Sequence, residues 1–313
     1  MRRRQRAGRQ IRLGMIGCGR LVERGYIPAV HRCEGIVLTA VADLEVERCG
    51  RIAPGIQAFD SVESLLSGCE LDAVIVATPP AAHLEPARAA ARVGVATLVE
   101  KPPAASLAEA RELAGLDRPP WIGFNRRFLI GLREQRAAIR ACASVLELEL
   151  HYQRYDWRPY TPAPSALLDT ASHLVDLARW LTGGEVRRAR ALTLTPQVGD
   201  VELDLGHIRA NLRWSVDRAH RERIEVRDAT GVRLFRYMDG GVLRALVRRA
   251  RRPSEDDPFV NSLARQLDEF ARELRGHSRG ILATAQDGLK VMQVLASVRS
   301  SSARDGAWED VAG

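Results

Sequence analysis

Only two of the 47 basic residues in this 313-residue chain are lysines, Lys101 and Lys290. Where a plain positive charge suffices the chain uses arginine, a bias that fits a GC-rich coding style. Lysine differs chemically: its compact ammonium can share or shuttle a proton, whereas guanidinium is rigid and always charged. Lys101 closes the apolar run Val99-Glu100-Lys101-Pro102-Pro103, so it marks a position where guanidinium would not serve; chance survival of a lysine is the plain alternative. A second candidate is the pair Asp169 and His173, at i and i+4 of a helical pattern, one turn apart on one face. A carboxylate so placed can hold an imidazole's orientation and raise its basicity, as a general base requires. Asp176 lies near the same face. Taken alone, the pair also fits ordinary core or surface packing.

The elements that must position Lys101 begin at Ile11. Ile11–Ile16 is a short apolar run that reads as a buried strand, and it leads into Gly17-Cys18-Gly19-Arg20-Leu21-Val22 and then a helical pattern. Strand, glycine turn and helix in that order are the context of a dinucleotide-binding fingerprint. Gly17 allows the tight turn, and Gly19 lets the backbone approach a pyrophosphate at the helix N-terminus. The third fingerprint position is Val22 instead of glycine. The next strand, Ile36–Ala42, ends at Asp43, 26 residues after Gly17. That carboxylate can accept hydrogen bonds from ribose hydroxyls and would repel a 2′-phosphate, so NAD is expected in preference to NADP. It could also simply cap the helix that follows.

The alternation continues through a helix start at Asp60–Glu63, a strand at 72–77 closed by Thr78-Pro79-Pro80, and a helix over His83–Val93. A strand at Ala96–Glu100 delivers Lys101, a capping box at Ser106–Glu109 opens a further helix, and Trp121–Phe124 leads into Asn125. This pattern predicts an α/β fold: a doubly wound parallel sheet over residues 11–125. Ligands of such sheets bind beyond the carboxyl ends of the strands, where Gly17–Gly19, Asp43, Thr78–Pro80, Lys101 and Asn125 all fall.

From residue 126 to 313 the pattern changes. Val145–Tyr152 alternates with period two, and similar strands recur at 188–194, 207–216, 223–226 and 232–237. Successive strands without long intervening helices imply an α+β domain with an antiparallel or mixed sheet. One long helix over Ser165–Leu181, stopped by Gly183-Gly184, carries Asp169 and His173. Tyr152–Tyr160 is rich in aromatics and arginines, among them Arg154, Trp157 and Arg158, which suit stacking on a sugar ring or gripping an anion and equally suit an exposed strand edge.

Composition bounds the rest. The formal net charge of +8 is concentrated in a basic tail over residues 1–10, whose five arginines face no acid. A solvated, disordered extension is the expectation there, with nucleic acid not an expected partner. No apolar stretch follows to make a secretory signal, and no run approaches a membrane span, so a cytoplasmic protein is expected. The five cysteines are scattered and the histidines lack ligand spacing, which predicts reduced thiols and no metal site.

With these pieces in order, the chain resembles the Gfo/Idh/MocA family, the relatives of glucose–fructose oxidoreductase and inositol dehydrogenase. The resemblance rests on M-I-G-C-G-R-L (15–21), V-A-D (41–43), V-A-T-P-P-A-A-H (76–83), V-E-K-P-P (99–103), G-F-N-R-R-F (123–128) and L-L-D-T-A-S-H-L-V-D-L-A-R-W-L-T-G (167–183). It implies an N-terminal Rossmann domain, a C-terminal domain with a large open mixed sheet that mediates dimers or tetramers, and hydride transfer between NAD(P) and a secondary alcohol or ketone of a sugar or cyclitol. By motif, it makes Lys101, Asp169 and His173 catalytic. It places Gly17, Cys18, Gly19, Arg20, Leu21, Asp43, Thr78, Pro79, Pro80, His83, Glu100, Lys101 and Asn125 around the cofactor. A cis Lys101–Pro102 bond would aim the lysine. Alternatives from the same resemblance are an NAD-retaining glycosidase or internal oxidoreductase; a non-catalytic NAD-binding or nucleic-acid-associated protein is the third. Two departures from the family pattern stand out: Val22 in the glycine turn, and Pro162–Ala166 where relatives carry a glycine pair or triplet.

Overall fold

A computed structural model describes residues 10–153, 165–240 and 257–312. Its described residues fall into two compact units, one drawn from Met1–Phe128 and Pro253–Gly288, the other from Leu129–Arg252 and Leu289–Gly313.

The first unit is built on a seven-stranded sheet in the order β13-β6-β5-β4-β1-β2-β3. The strands are β1 (Ile11–Ile16), β2 (Ile36–Ala42), β3 (Gln57–Phe59), β4 (Ala73–Val76), β5 (Ala96–Glu100), β6 (Trp121–Gly123) and the edge strand β13 (Ala283–Thr284). All pairings are parallel except β13 on β6. The expected doubly wound parallel sheet is therefore present, and its central strands are apolar on both faces, as β4's four fully buried residues show. Helices α2 (Val46–Ile52), α3 (Val62–Gly68), α4 (Leu84–Arg92) and α5 (Leu107–Ala114) connect the strands. Ser106 and Glu109 make both bonds of the expected capping box at α5. At α3 the cap is Ser61, whose hydroxyl accepts the Ser64 N–H.

Two features of this unit lie beyond the strand–helix pattern. The helix after the glycine turn, α1 (residues 20–30), contains a π turn over Val22–Tyr26. Helix α8 (Pro258–Leu274) belongs here although it lies far along the chain. Asp257 caps it and Pro258 opens it. Its stripe of Val260, Leu263, Leu267 and Phe270 is buried, with Phe270 edge-on to Trp121 at 5.5 Å between ring centroids. Each such buried side chain contributes about 2 kcal/mol of hydrophobic stabilisation.

The second unit holds the mixed sheet, in the order β12-β11-β7-β10-β9-β8-β14. Its strands are β7 (Val145–Gln153), β8 (Arg188–Leu194), β9 (Val198–Asp204), β10 (Arg209–Ser215), β11 (Asp217–Arg227), β12 (Arg233–Gly240) and β14 (Glu309–Asp310). Only β10 on β7 is parallel. Leu146, Leu148 and Leu150 line the buried face, which α7 (Ser172–Thr182) covers; α6 (Leu132–Cys142) packs on α7. Helix α9 (Ala285–Ala303) starts in the first unit and runs on into the second. The opposite face is a lattice of cross-strand ion pairs, including Arg190–Glu202, Arg213–Asp200, Arg213–Glu147 and Arg223–Glu149.

Strand β9 escaped the sequence pattern because four of its seven residues, Gly199, Asp200, Glu202 and Asp204, are poor strand formers. Packing overrides that weakness. Gly199 pairs across the ladder with Trp214, whose indole lies where a side chain on Gly199 would stand: a Cβ there would be 2.0 Å from the ring.

Candidate functional site

In the first unit the ends of β1, β2, β4, β5 and β6 bring Gly17–Leu21, Asp43, Thr78–Pro80, Lys101 and Asn125 to the carboxyl edge of one sheet. Gly17 has φ +91°, and a Cβ on it would stand 2.8 Å from the Ala77 backbone, so this turn admits only glycine. The space over Gly19 is clear to 4 Å. The Asp43 carboxylate does two jobs at once. Oδ2 accepts the Cys18 N–H at 2.7 Å, tying the glycine turn to β2, and Oδ1 accepts the Glu45 N–H at 2.9 Å at the start of α2. The Cys18 thiol beneath is packed 3.2 Å from Cys49 Sγ, and burial pushes its pKa well up.

Lys101 is half-buried at the first position beyond β5, and its bond to Pro102 is cis. Glu100 turns inward: its carboxylate accepts the Tyr26 hydroxyl and the Lys101 N–H. His83 is also internal, with Nε2 2.8 Å from the Thr78 carbonyl and Nδ1 3.2 Å from the Pro103 carbonyl. It thereby spans the two proline loops that follow β4 and β5. Burial lowers its pKa, against the pull of those carbonyls. Asn125, nine-tenths or more buried, donates to Ser262 Oγ at 2.9 Å. Pro80 opens a short 3-10 turn, and Thr78 Oγ1 donates to the Ala82 carbonyl across it.

The second unit places Asp169 and His173 on one helix, with a π turn over Leu167–Ala171 running into α7. π turns occur often at functional sites. Asp169 Oδ2 accepts the hydroxyl of Tyr152 from β7, and Thr170 Oγ1 donates to the same hydroxyl at 3.1 Å. His173 and Asp176 are 5% and 1% exposed, so the polar side chains of this helix lie within its packed face. Arg154, Trp157 and Arg158 lie outside the described residues, as does nearly all of the basic tail.

These residues fit a bound dinucleotide in the first unit: a glycine whose side chain the backbone forbids, open space over the next glycine, and a carboxylate at the lip of β2. Residues 11–118 match the family model of the Gfo/Idh/MocA oxidoreductases, described as an oxidoreductase family with an NAD-binding Rossmann fold, and residues 139–243 match that family's C-terminal domain. The chain belongs to the Gfo/Idh/MocA family. It is 27% identical over 310 residues to the rhizopine catabolism protein MocA of Rhizobium meliloti, covering 95% of this chain and 96% of that one. It is 30% identical over 240 residues to YceM of Salmonella typhimurium, covering 75% of each. In fold it is similar to myo-inositol dehydrogenase of Lactobacillus casei, solved with NAD(H) and myo-inositol, with a TM-score of 0.77 at 20% identity over 97% of this chain and 98% of that one.

A Gfo/Idh/MocA chain is an oxidoreductase whose first domain takes NAD, which agrees with the acid at position 43. Val22, the departure in the turn, is fully buried at the start of the π turn. Close approach falls instead at Gly25, where a Cβ would meet Leu263 Cδ1 at 2.7 Å, so α1 packs tightly on α8. Several residues near the site carried no signal in the sequence. Arg48, one turn into α2, reaches Asp43 Oδ1 at 3.5 Å, whereas the sequence motif directs attention only to the residue beside the acid. Tyr26 and Gln266 come from elements distant in sequence and become partners only on folding, and the pairing of Tyr152 with Thr170 likewise joins two stretches that the sequence offers separately. Lys290, the other lysine, pairs with Glu185 at 2.6 Å on the second unit. Among the described residues no cluster of His, Cys, Asp or Glu could hold a metal ion, and no helix is long and apolar enough to cross a membrane.

Proposed function

We propose that this protein is an NAD-dependent dehydrogenase of a secondary alcohol on a cyclitol or sugar, with Lys101, Asp169 and His173 as its catalytic residues. The observation that carries this reading is the second unit's helix. A His 5% exposed stands one turn beyond an Asp whose carboxylate takes a tyrosine hydroxyl, in a segment that buries its polar groups instead of presenting them to water. Keeping such groups out of water is costly unless chemistry or hydrogen bonding rewards it. The choice of substrate is supported by the relatives: an inositol 2-dehydrogenase of Acidiphilium cryptum is 26% identical over 89% of this chain.

Bound NAD supplies the hydride acceptor. His173 takes the hydroxyl proton as the carbonyl forms, and Lys101 donates a hydrogen bond to the reacting oxygen, stabilising its developing charge. Asp169, with one oxygen held by Tyr152, orients the substrate or the imidazole. Arginine at position 101 would be a poor substitute, because a guanidinium holds its charge whatever the substrate oxygen does.

The test is a panel of inositols, hexoses, amino sugars and sugar phosphates with NAD and NADP, followed by absorbance of the reduced cofactor. Turnover on a cyclitol or sugar with NAD, lost in Lys101→Met and in Lys101→Arg, is expected. Undiminished turnover in both variants would remove Lys101 from the mechanism.

A further inference from the structure

We infer that Tyr26, Glu100 and Gln266 form a buried anchor that positions Lys101, with Gly123 as the gap that admits the anchor's carboxylate. The inference rests on the reading of Lys101 as the residue that meets the reacting oxygen. Glu100 is 4% exposed, and a carboxylate so far from water is expensive unless its oxygens are hydrogen-bonded. Both are satisfied, and by different elements. Oε1 accepts the hydroxyl of Tyr26 from the π turn of α1, and Oε2 accepts the backbone N–H of Lys101 at 3.0 Å. Tyr26 is fully buried, and its oxygen in turn accepts Gln266 Nε2 from α8 at 3.2 Å. Burial first, then the charge of Glu100, raise the phenol's pKa, so it remains a proton donor to the carboxylate.

Strand β6 makes room. Gly123 is the register partner of Glu100 in the β5–β6 pair, and a Cβ on Gly123 would lie 2.8 Å from Glu100 Oε1 and 3.0 Å from its Cδ. Any side chain there would push the carboxylate off its partners. Tyr26 of α1, backed by Gln266 of α8, and the gap at Gly123 of β6 thus serve one acid on β5, whose other oxygen holds the main chain at Lys101. An anchor meant only to close the core would be cheaper as a hydrocarbon, since buried ionic groups gain little over apolar ones of the same shape. What the carboxylate adds is a hydrogen bond to the peptide from which the lysine side chain springs. Glu100, Tyr26 and Gln266 are therefore positioning residues: they act through Lys101 and touch no substrate.

The scarcity of lysine makes the anchor directly observable. Reductive methylation with 13C-formaldehyde labels two side chains, Lys101 and Lys290, and a Lys290→Arg variant assigns the signals. Lys290 sits on the second unit in an ion pair with Glu185 and serves as the internal reference. In Tyr26→Phe, which keeps the shape of the ring, the Lys101 dimethylamino signal is expected to move by more than its linewidth while that of Lys290 stays in place. Glu100→Gln is expected to move it further in the same protein background. A cooperative urea transition certifies that each variant is folded, NAD binding read by quenching of tryptophan fluorescence shows that Tyr26→Phe keeps its cofactor site, and Tyr26→Phe keeps the test decisive if Glu100→Gln does not fold. An unmoved Lys101 signal in NAD-binding Tyr26→Phe protein would overturn the anchor. Full turnover in Lys101→Met would instead overturn the role of the lysine, which the spectrum does not measure.

Discussion

The two units hold their candidate residues by different means. In the first, Gly17, Asp43, Thr78 and Lys101 stand at strand ends, where parallel pairing brings the chain to one edge after each crossover. In the second, Asp169 and His173 stand within a helix whose face is buried, and the Tyr152 side chain from β7 holds the acid. A strand end fixes where the backbone is and leaves the side chain to its neighbours. A helix interior fixes which side chains share a face and leaves their partners to packing. The first arrangement can thus be broken at the backbone, the second at the contact.

The largest expected effect falls on the second unit's helix. His173→Asn should cost about a thousandfold in kcat, the usual worth of a positioned general base, with the Kd for NAD unchanged. Turnover reduced less than about tenfold would mean that the helix serves packing and not chemistry.

Next come two glycines that contrast the units. Gly199→Ala places a methyl group inside the Trp214 ring and should destabilise the protein by about 3 kcal/mol, read as a lower urea midpoint. Gly19→Ala meets open space, so its effect on the midpoint should stay within about 0.5 kcal/mol while NAD binding weakens. Equal losses of stability from both would erase the distinction between a packing glycine and a cofactor glycine.

Tyr152→Phe removes one donor to the Asp169 carboxylate. A hydrogen bond to a charged group is worth about 1.5 kcal/mol, so kcat should fall about tenfold with NAD affinity intact. Parallel losses in NAD binding would show that Tyr152 supports the whole protein instead of the acid.

The smallest effect belongs to His83. Its pKa is lowered in the folded protein by burial, whereas the unfolded chain takes up a proton near about 6.5. Protonation therefore favours the unfolded chain: this stability is present above about pH 6.5 and is lost as the pH falls toward the folded value. The difference in urea midpoint between pH 8 and pH 5 should be smaller in His83→Gln than in the parent. An unaltered difference would mean that the imidazole spanning the two proline loops does not resist protonation.

Much of the first unit was legible because its signals are local. Gly17 must be glycine for reasons of φ and of the neighbouring strand, Ser106 and Glu109 cap α5 within four residues, and the run Ala96–Glu100 places Lys101 at a strand end by counting. The second unit was less so. Strand β9 is weak by propensity and pairs with β10 where Trp214 lies across Gly199, and the turn carrying Asp169 is a π turn where spacing alone suggests a regular helix. Contacts between residues far apart in sequence leave no periodic trace.

The amino-acid sequence by itself determined the alternation of strands and helices over residues 11–125, the strand ends at which its polar residues gather, and the family to which the chain belongs. All of these follow from short-range patterns of burial and turn chemistry. Only the tertiary structure decided that Glu100 turns inward to Tyr26, that the His83 ring sits between the Thr78 and Pro103 carbonyls, and that Asp169 answers to Tyr152. A polar side chain in an apolar segment must find a partner, and which partner it finds is set by packing among elements that meet only once the chain has folded.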